Sequence, residues 1–217
     1  MTKEEVEQEI RNVRRQLVRS MNGVVAHRML QSGVSYKKNY GVDIPRLYQL
    51  STSLPHDEHL AMALWNLSIR ETMLLALMIY PIDKFSELEF REWIKQVPTY
   101  EVAEVGAQIL FSRVPYAMEQ ISLLLEGDNF EVVCGFLVAA KLLSTLSDEC
   151  ASQFKKIALE QLNNSILFNA ILVFFRCLVQ QKKHLCDDIL EKLDKQKDTF
   201  PRVNLLYEEV KTQLKYS

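Results

Sequence analysis

The chain predicts an all-α protein built from stacked helix pairs, and three observations predict it. Six glycines and six prolines against 48% apolar residues favour long helices with short turns over a β-sandwich. No stretch alternates apolar and polar residues with period two for long enough to form a strand. From residue 56 onward, one pattern recurs five times: a shorter helix, a short polar break, and a second, more apolar helix.

The elements follow in order. Thr2 and Glu5 have the spacing of a capping box, opening a first helix that runs to about Ser20. A second helix is expected over Gly23 to Gln31, stopping at Gly33. A basic, tyrosine-rich loop (Tyr36, Lys37, Lys38, Tyr40) then leads into a Gly41-Val42-Asp43-Ile44-Pro45 turn. Pro45 suits the first turn of a third helix, where its missing N–H costs nothing. Pro55 punctuates, and His56 to Asn66 and Ser68 to Tyr80 form an antiparallel pair, the second opened by a Ser68–Glu71 capping box.

Breaks fall at Asn66–Ser68, Gln96–Thr99, Gly127–Asn129, Asn163–Ser165 and Lys195–Pro201. The period drifts between about 30 and 38 residues, as in helix-pair solenoids. Each pair carries more apolar surface than it can bury alone, so stacked neighbours must supply the cover. Phe168, Phe174 and Phe175 lie almost all round their helix, which marks an inner layer. The chain therefore reads as a single domain over 1–217, with basic helices and a loop over 1–55 and five helix-pair repeats over 56–217.

Composition narrows the classes. The charged first segment lacks the apolar core of a signal peptide. The most apolar run, Ile166 to Val179, is interrupted by Asn169 and Arg176 and is too short to span a membrane. Cys134, Cys150, Cys177 and Cys186 fall in different helices without a CxxC pair, the usage of a reduced, cytoplasmic protein. There is no Gly-rich phosphate loop, GxSxG elbow or HExxH, and no cofactor is implied. His56 and His59 bracket Asp57 and Glu58, but two histidines at a helix start read as an exposed first turn, so no metal site is assigned.

The net charge of −2 conceals an uneven distribution. Residues 10 to 50 hold eight bases (Arg11, Arg14, Arg15, Arg19, Arg28, Lys37, Lys38 and Arg46) and one acid, Asp43. Such asymmetry makes a phosphate-facing patch on an otherwise acidic molecule. The alternative is that the arginines of the first helix form its solvated face.

The order of basic loop, turn, helix, Leu64-Trp65, then Arg70-Glu71 heading an apolar helix resembles the DNA alkylation repair family of HEAT-like repeats, which includes the AlkD-type glycosylases. The resemblance implies a right-handed α-α superhelix of HEAT-like pairs with DNA on the concave face. With it, the basic segment read from the charge distribution offers Arg11, Arg15, Arg19, Lys37, Lys38 and Arg46 as DNA-binding residues. The resemblance also implies a site for excising cationic N3- or N7-alkylated purines: an aromatic residue, a carboxylate four residues later, and a supporting arginine on the next repeat. Tyr100 and Glu104 have that spacing and would contact the lesion and stabilise the sugar cation. The next repeat carries Val132, Val133 and Cys134 where the family has its arginine, with Lys141 about two turns further on. The following one carries Phe168 and Asn169 where the family has basic residues. A non-catalytic binder of damaged or branched DNA, and a HEAT-like scaffold for an acidic protein partner, are the alternative readings.

Overall fold

A computed structural model describes residues 1–32, 36–198 and 200–216. Among these residues the chain is all-α, and it divides into two compact units, Met1–Val114 and Pro115–Ser217. No helix among the described residues is long and apolar enough to cross a membrane.

The first unit begins with α1 (Lys3–Arg19), α2 (Gly23–Gln31) and α3 (Ile44–Ser51). The Thr2–Glu5 capping box forms as expected. Asn22 caps α2 and Asp43 caps α3, each accepting from a backbone N–H three residues on. Pro45 occupies the first turn of α3. Gly33, the expected stop of α2, lies outside the described residues.

The unit continues with α4 (Glu58–Asn66), α5 (Arg70–Ile79), α6 (Glu87–Lys95) and α7 (Tyr100–Gly106). α1 packs on α4, α3 on α5, and α5 on both α4 and α7. Trp65 of α4 stacks on Trp93 of α6 with ring centroids 4.1 Å apart, and its indole N–H donates to Gln96 Oε1 at 2.8 Å. Tyr80, Phe85, Phe90 and Phe111 complete the aromatic core around them. Beyond α7 the helix widens into a π turn over Ala107–Phe111. Gly106 is required there, because a Cβ would lie 2.3 Å from the Phe111 ring.

A local expectation fails at the head of α5. Ser68 does not cap α5: it sits at φ 53°, Ile69 is the N-cap, and no side chain closes the helix end. Glu71 is drawn away to the loop before α3, as described below.

The second unit contains α8 (Ala117–Leu124), α9 (Asn129–Leu142), α10 (Asp148–Glu160), α11 (Phe168–Gln181), α12 (Ile189–Asp194) and α13 (Pro201–Tyr216). The two helices of each pair pack together, and the second helices stack in series, α9 on α11 and α11 on α13. α9 is buried from Val132 to Ala140. Phe168, Phe174 and Phe175 are buried, as their arrangement predicts, with Phe136 and Phe154 against Phe174. All five expected breaks fall between the helices of a pair. All four cysteines are free; Cys186 follows a short turn rather than lying in a helix of its own, and it is buried.

Candidate nucleic-acid interface

α1 is strongly two-sided. Val6, Val13 and Leu17 face the core, which turns Arg11, Arg14, Arg15 and Arg19 to solvent. Arg15 and Arg19 meet Arg46 of α3 across a cleft of about 370 Å³. Asn12, Gln16, Ser20 and Ser53 also line it, together with one acid, Glu9. Arg46 hydrogen-bonds Gln49, while Arg14, Arg15 and Arg19 make no ion pair among the described residues. Three guanidinium groups with neutral amides and hydroxyls between them form a natural seat for a phosphate oxygen.

The other predicted bases lie elsewhere. Arg11 turns along its own helix, donating to Gln8 at 3.0 Å and lying 3.9 Å from Glu7. Lys37 and Lys38 are exposed on the loop, with Lys38 Nζ 4.8 Å from the centroid of the Tyr40 ring. The structure thus gathers Arg15, Arg19 and Arg46 at one cleft and places Arg11, Lys37 and Lys38 outside its lining.

The loop is held by a buried charge network. Lys38 and Ile69 form an isolated parallel bridge, and the Arg70 N–H donates to the Lys38 carbonyl at 3.0 Å. Glu71 accepts from the backbone N–H groups of Tyr40 and Val42 at 3.0 and 3.2 Å. The Arg70 guanidinium donates to the Val42 carbonyl at 2.6 Å and to Glu71 at 2.9 Å. It also grips Glu101 of α7 in a two-pronged pair at 2.7 and 2.6 Å. The Tyr36 hydroxyl donates to Glu101 at 2.6 Å, which leaves the Thr99 hydroxyl, 2.7 Å away, as donor to the Tyr36 oxygen.

Protonation states follow from these contacts. Burial alone would raise the Glu101 carboxyl, but hydrogen bonds from Arg70 and Tyr36 and the Arg70 charge hold it below the usual carboxylate range. Burial and the facing Glu101 carboxylate push the Tyr36 phenol up, so it stays a donor. On the other side of the loop, Gly41 has φ 71° and lies so close to α2 that a Cβ would sit 2.1 Å from the Asn22 carbonyl oxygen. The loop is therefore clamped between α2 and the start of α5.

Tyr100 and Glu104 both lie on α7, four residues apart. Tyr100 is half-buried; Glu104 is exposed and makes no hydrogen bond or ion pair among the described residues. Thr99 caps the helix as its position suggests, accepting from the Val102 N–H at 3.4 Å. Val132, Val133 and Cys134 are buried within α9. No cluster of three metal-ligating side chains occurs among the described residues; Asp57 instead caps α4 by accepting from the Leu60 N–H at 3.0 Å.

Sequence reasoning found the arginines and the loop but missed the Arg70–Glu101 pair that joins the loop to α7. The available signal was an adjacent Arg-Glu at the head of a wholly apolar helix, where buried charges must find partners.

No protein-family model matches the chain, and no curated protein sequence matches it. One solved structure does, described as "a new family of proteins related to the HEAT-like repeat DNA glycosylases with affinity for branched DNA structures". The TM-score is 0.69 at 18% identity, over 85% of this chain and 81% of that one. The chain accordingly has the HEAT-like repeat fold, as its five-fold helix-pair rhythm predicts.

Proposed function

We propose that the protein is a divergent relative of the HEAT-like repeat DNA glycosylases that binds DNA, preferring branched over linear duplex. The observation that carries this is the cleft between α1 and α3, where Arg15, Arg19 and Arg46 converge. Arg11, Lys37 and Lys38 add exposed positive charge on the same N-terminal segment. A patch of this kind draws its affinity from phosphate contacts and released counterions. The likeness to a structure whose family has affinity for branched DNA supports the choice of substrate.

The test is affinity for a four-way junction and a linear duplex across a salt series. Arg15→Ala/Arg19→Ala/Arg46→Ala is expected to weaken both and to flatten the log–log salt slope by roughly 2 to 3, at about 0.9 per lost phosphate contact. Binding that ignores salt, or a triple variant that binds as the wild type does, overturns the reading in favour of a protein-binding scaffold.

A second reading, excision of cationic N-alkylated purines, rests on Tyr100 and Glu104. Its support is the spacing, which holds an aromatic ring and a carboxylate four residues apart on α7. The apolar α9 interior at Val132 to Cys134 supplies no supporting cation.

A further inference from the structure

α2 is a nine-residue helix, GVVAHRMLQ, none of whose residues is buried. One face is anchored to the loop: Asn22 N–H donates to the Tyr40 carbonyl at 2.9 Å, and Asn39 Nδ2 donates to Met29 Sδ at 3.1 Å. The opposite face carries Val24, His27 and Arg28 into solvent. Just before it, Val18 and Met21 are also uncovered, so three apolar side chains at the α1–α2 turn are 55%, 58% and 63% exposed.

Their surroundings are basic rather than mixed. Val18 has Arg14 and Arg15 one helical turn before it and Arg11 two turns before, all on the outward face of α1. Val24 has Arg28 at i+4 on α2. No carboxylate lies between Glu9 and Asp43 in sequence. An apolar partner would have to strip water from these guanidinium groups without replacing its hydrogen bonds, which is costly. DNA with unstacked bases matches both properties, since it presents apolar base faces within a few ångströms of phosphates. Aliphatic side chains are used in this way as wedges at disrupted base steps.

We propose that Val18, Met21 and Val24 form an apolar platform for the unstacked bases at a DNA branch point, with Arg14, Arg15 and Arg28 holding the flanking phosphates. This rests on the DNA-binding reading above and adds what distinguishes a branch from a plain duplex. Phosphates are common to both, while away from the duplex ends unstacked base faces occur only at the branch.

The test is Val18→Ser/Met21→Ser/Val24→Ser in the full chain. It leaves the charge unchanged and touches only exposed positions; an unaltered thermal melt by circular dichroism confirms folding. Binding is read by fluorescence anisotropy with a four-way junction and a linear duplex of matched sequence, and 2-aminopurine at the branch point reports base environment. The junction affinity is expected to fall about tenfold, towards that of the duplex. Duplex affinity and both salt slopes should stay unchanged, and the 2-aminopurine response to the wild type should vanish. A variant that keeps the full junction preference overturns the platform, as does one that loses equal affinity for both DNAs. So does a variant whose change lies instead in self-association or in binding phosphatidylserine vesicles. If the wild type binds neither DNA, the functional reading itself fails, a result distinct from all of these.

Discussion

The two units share a helix-pair plan but differ in where they put charge. In Met1–Val114, Arg70 and Glu71 are buried and Glu101 is partly covered, while Arg15, Arg19 and Arg46 face an open cleft. In Pro115–Ser217, no charged side chain is buried among the described residues, and the core is a phenylalanine cluster. Its cations largely neutralise nearby acids: Lys155 and Lys192 pair with Asp188 at 2.6 Å, and Lys182 pairs with Asp148 at 2.6 Å. The difference teaches that one helix-pair plan can pair its charges off or leave them facing solvent.

The largest effect should come from the buried network. Removing one partner strands the others away from water, whereas an exposed pair loses only a screened attraction. Arg70→Ala leaves Glu71 and Glu101 without their shared cation and should cost about 3–5 kcal/mol. Lys192→Ala, which breaks an exposed pair with Asp188, should cost about 1 kcal/mol or less. Urea denaturation followed by both signals can separate the two: Trp65 and Trp93 fluorescence reads the first unit, where both tryptophans lie, and circular dichroism reads the helices of both units. A small shift in the fluorescence midpoint of Arg70→Ala would mean the network is not what holds this region.

The same contrast has a pH signature. Glu101 is held below its ordinary value, so the stability it contributes is present above the unfolded value, about 4.3 for a glutamate, and is lost as pH falls through the folded value. The fluorescence midpoint of the wild type should therefore drop between about pH 5 and pH 3 more steeply than that of Glu101→Gln. The glutamine keeps an acceptor for Arg70 but binds no proton. Equal slopes would show that the Arg70 pair does not persist in solution.

Much of this organisation was legible in the sequence, and the misses share one cause. Helix caps at Thr2 and Thr99 and all five repeat breaks depend on residues within one turn of each other, so local spacing reveals them. Ser68 and Glu71 have the same spacing as Thr2 and Glu5, yet Glu71 bonds to Tyr40 and Val42, about thirty residues earlier in the chain. Two backbone donors in the interior outcompete one at a helix end, because an unmet buried N–H costs more than a frayed cap. Arg70 and Glu101 are likewise paired across two helices. The arginine stripe on α1 was visible as a helical face, but its convergence with Arg46 depends on how α1 and α3 come together.

The smallest expected effect concerns Glu104. Its carboxylate is exposed and unpaired, so Glu104→Gln should change neither stability nor DNA affinity beyond about 0.5 kcal/mol. The informative readout is release of free methylated purines from N-methylated duplex under single-turnover conditions. A carboxylate stabilises a developing sugar cation best where water is excluded, and an open helix surface offers little of that advantage. Release by the wild type is therefore expected to stay at the background rate and to be unaffected by the substitution. Release that requires Glu104 would break the comparison at its simplest point: the first unit would then carry chemistry as well as the proposed phosphate contacts, and Tyr100 with Glu104 would suffice without an arginine.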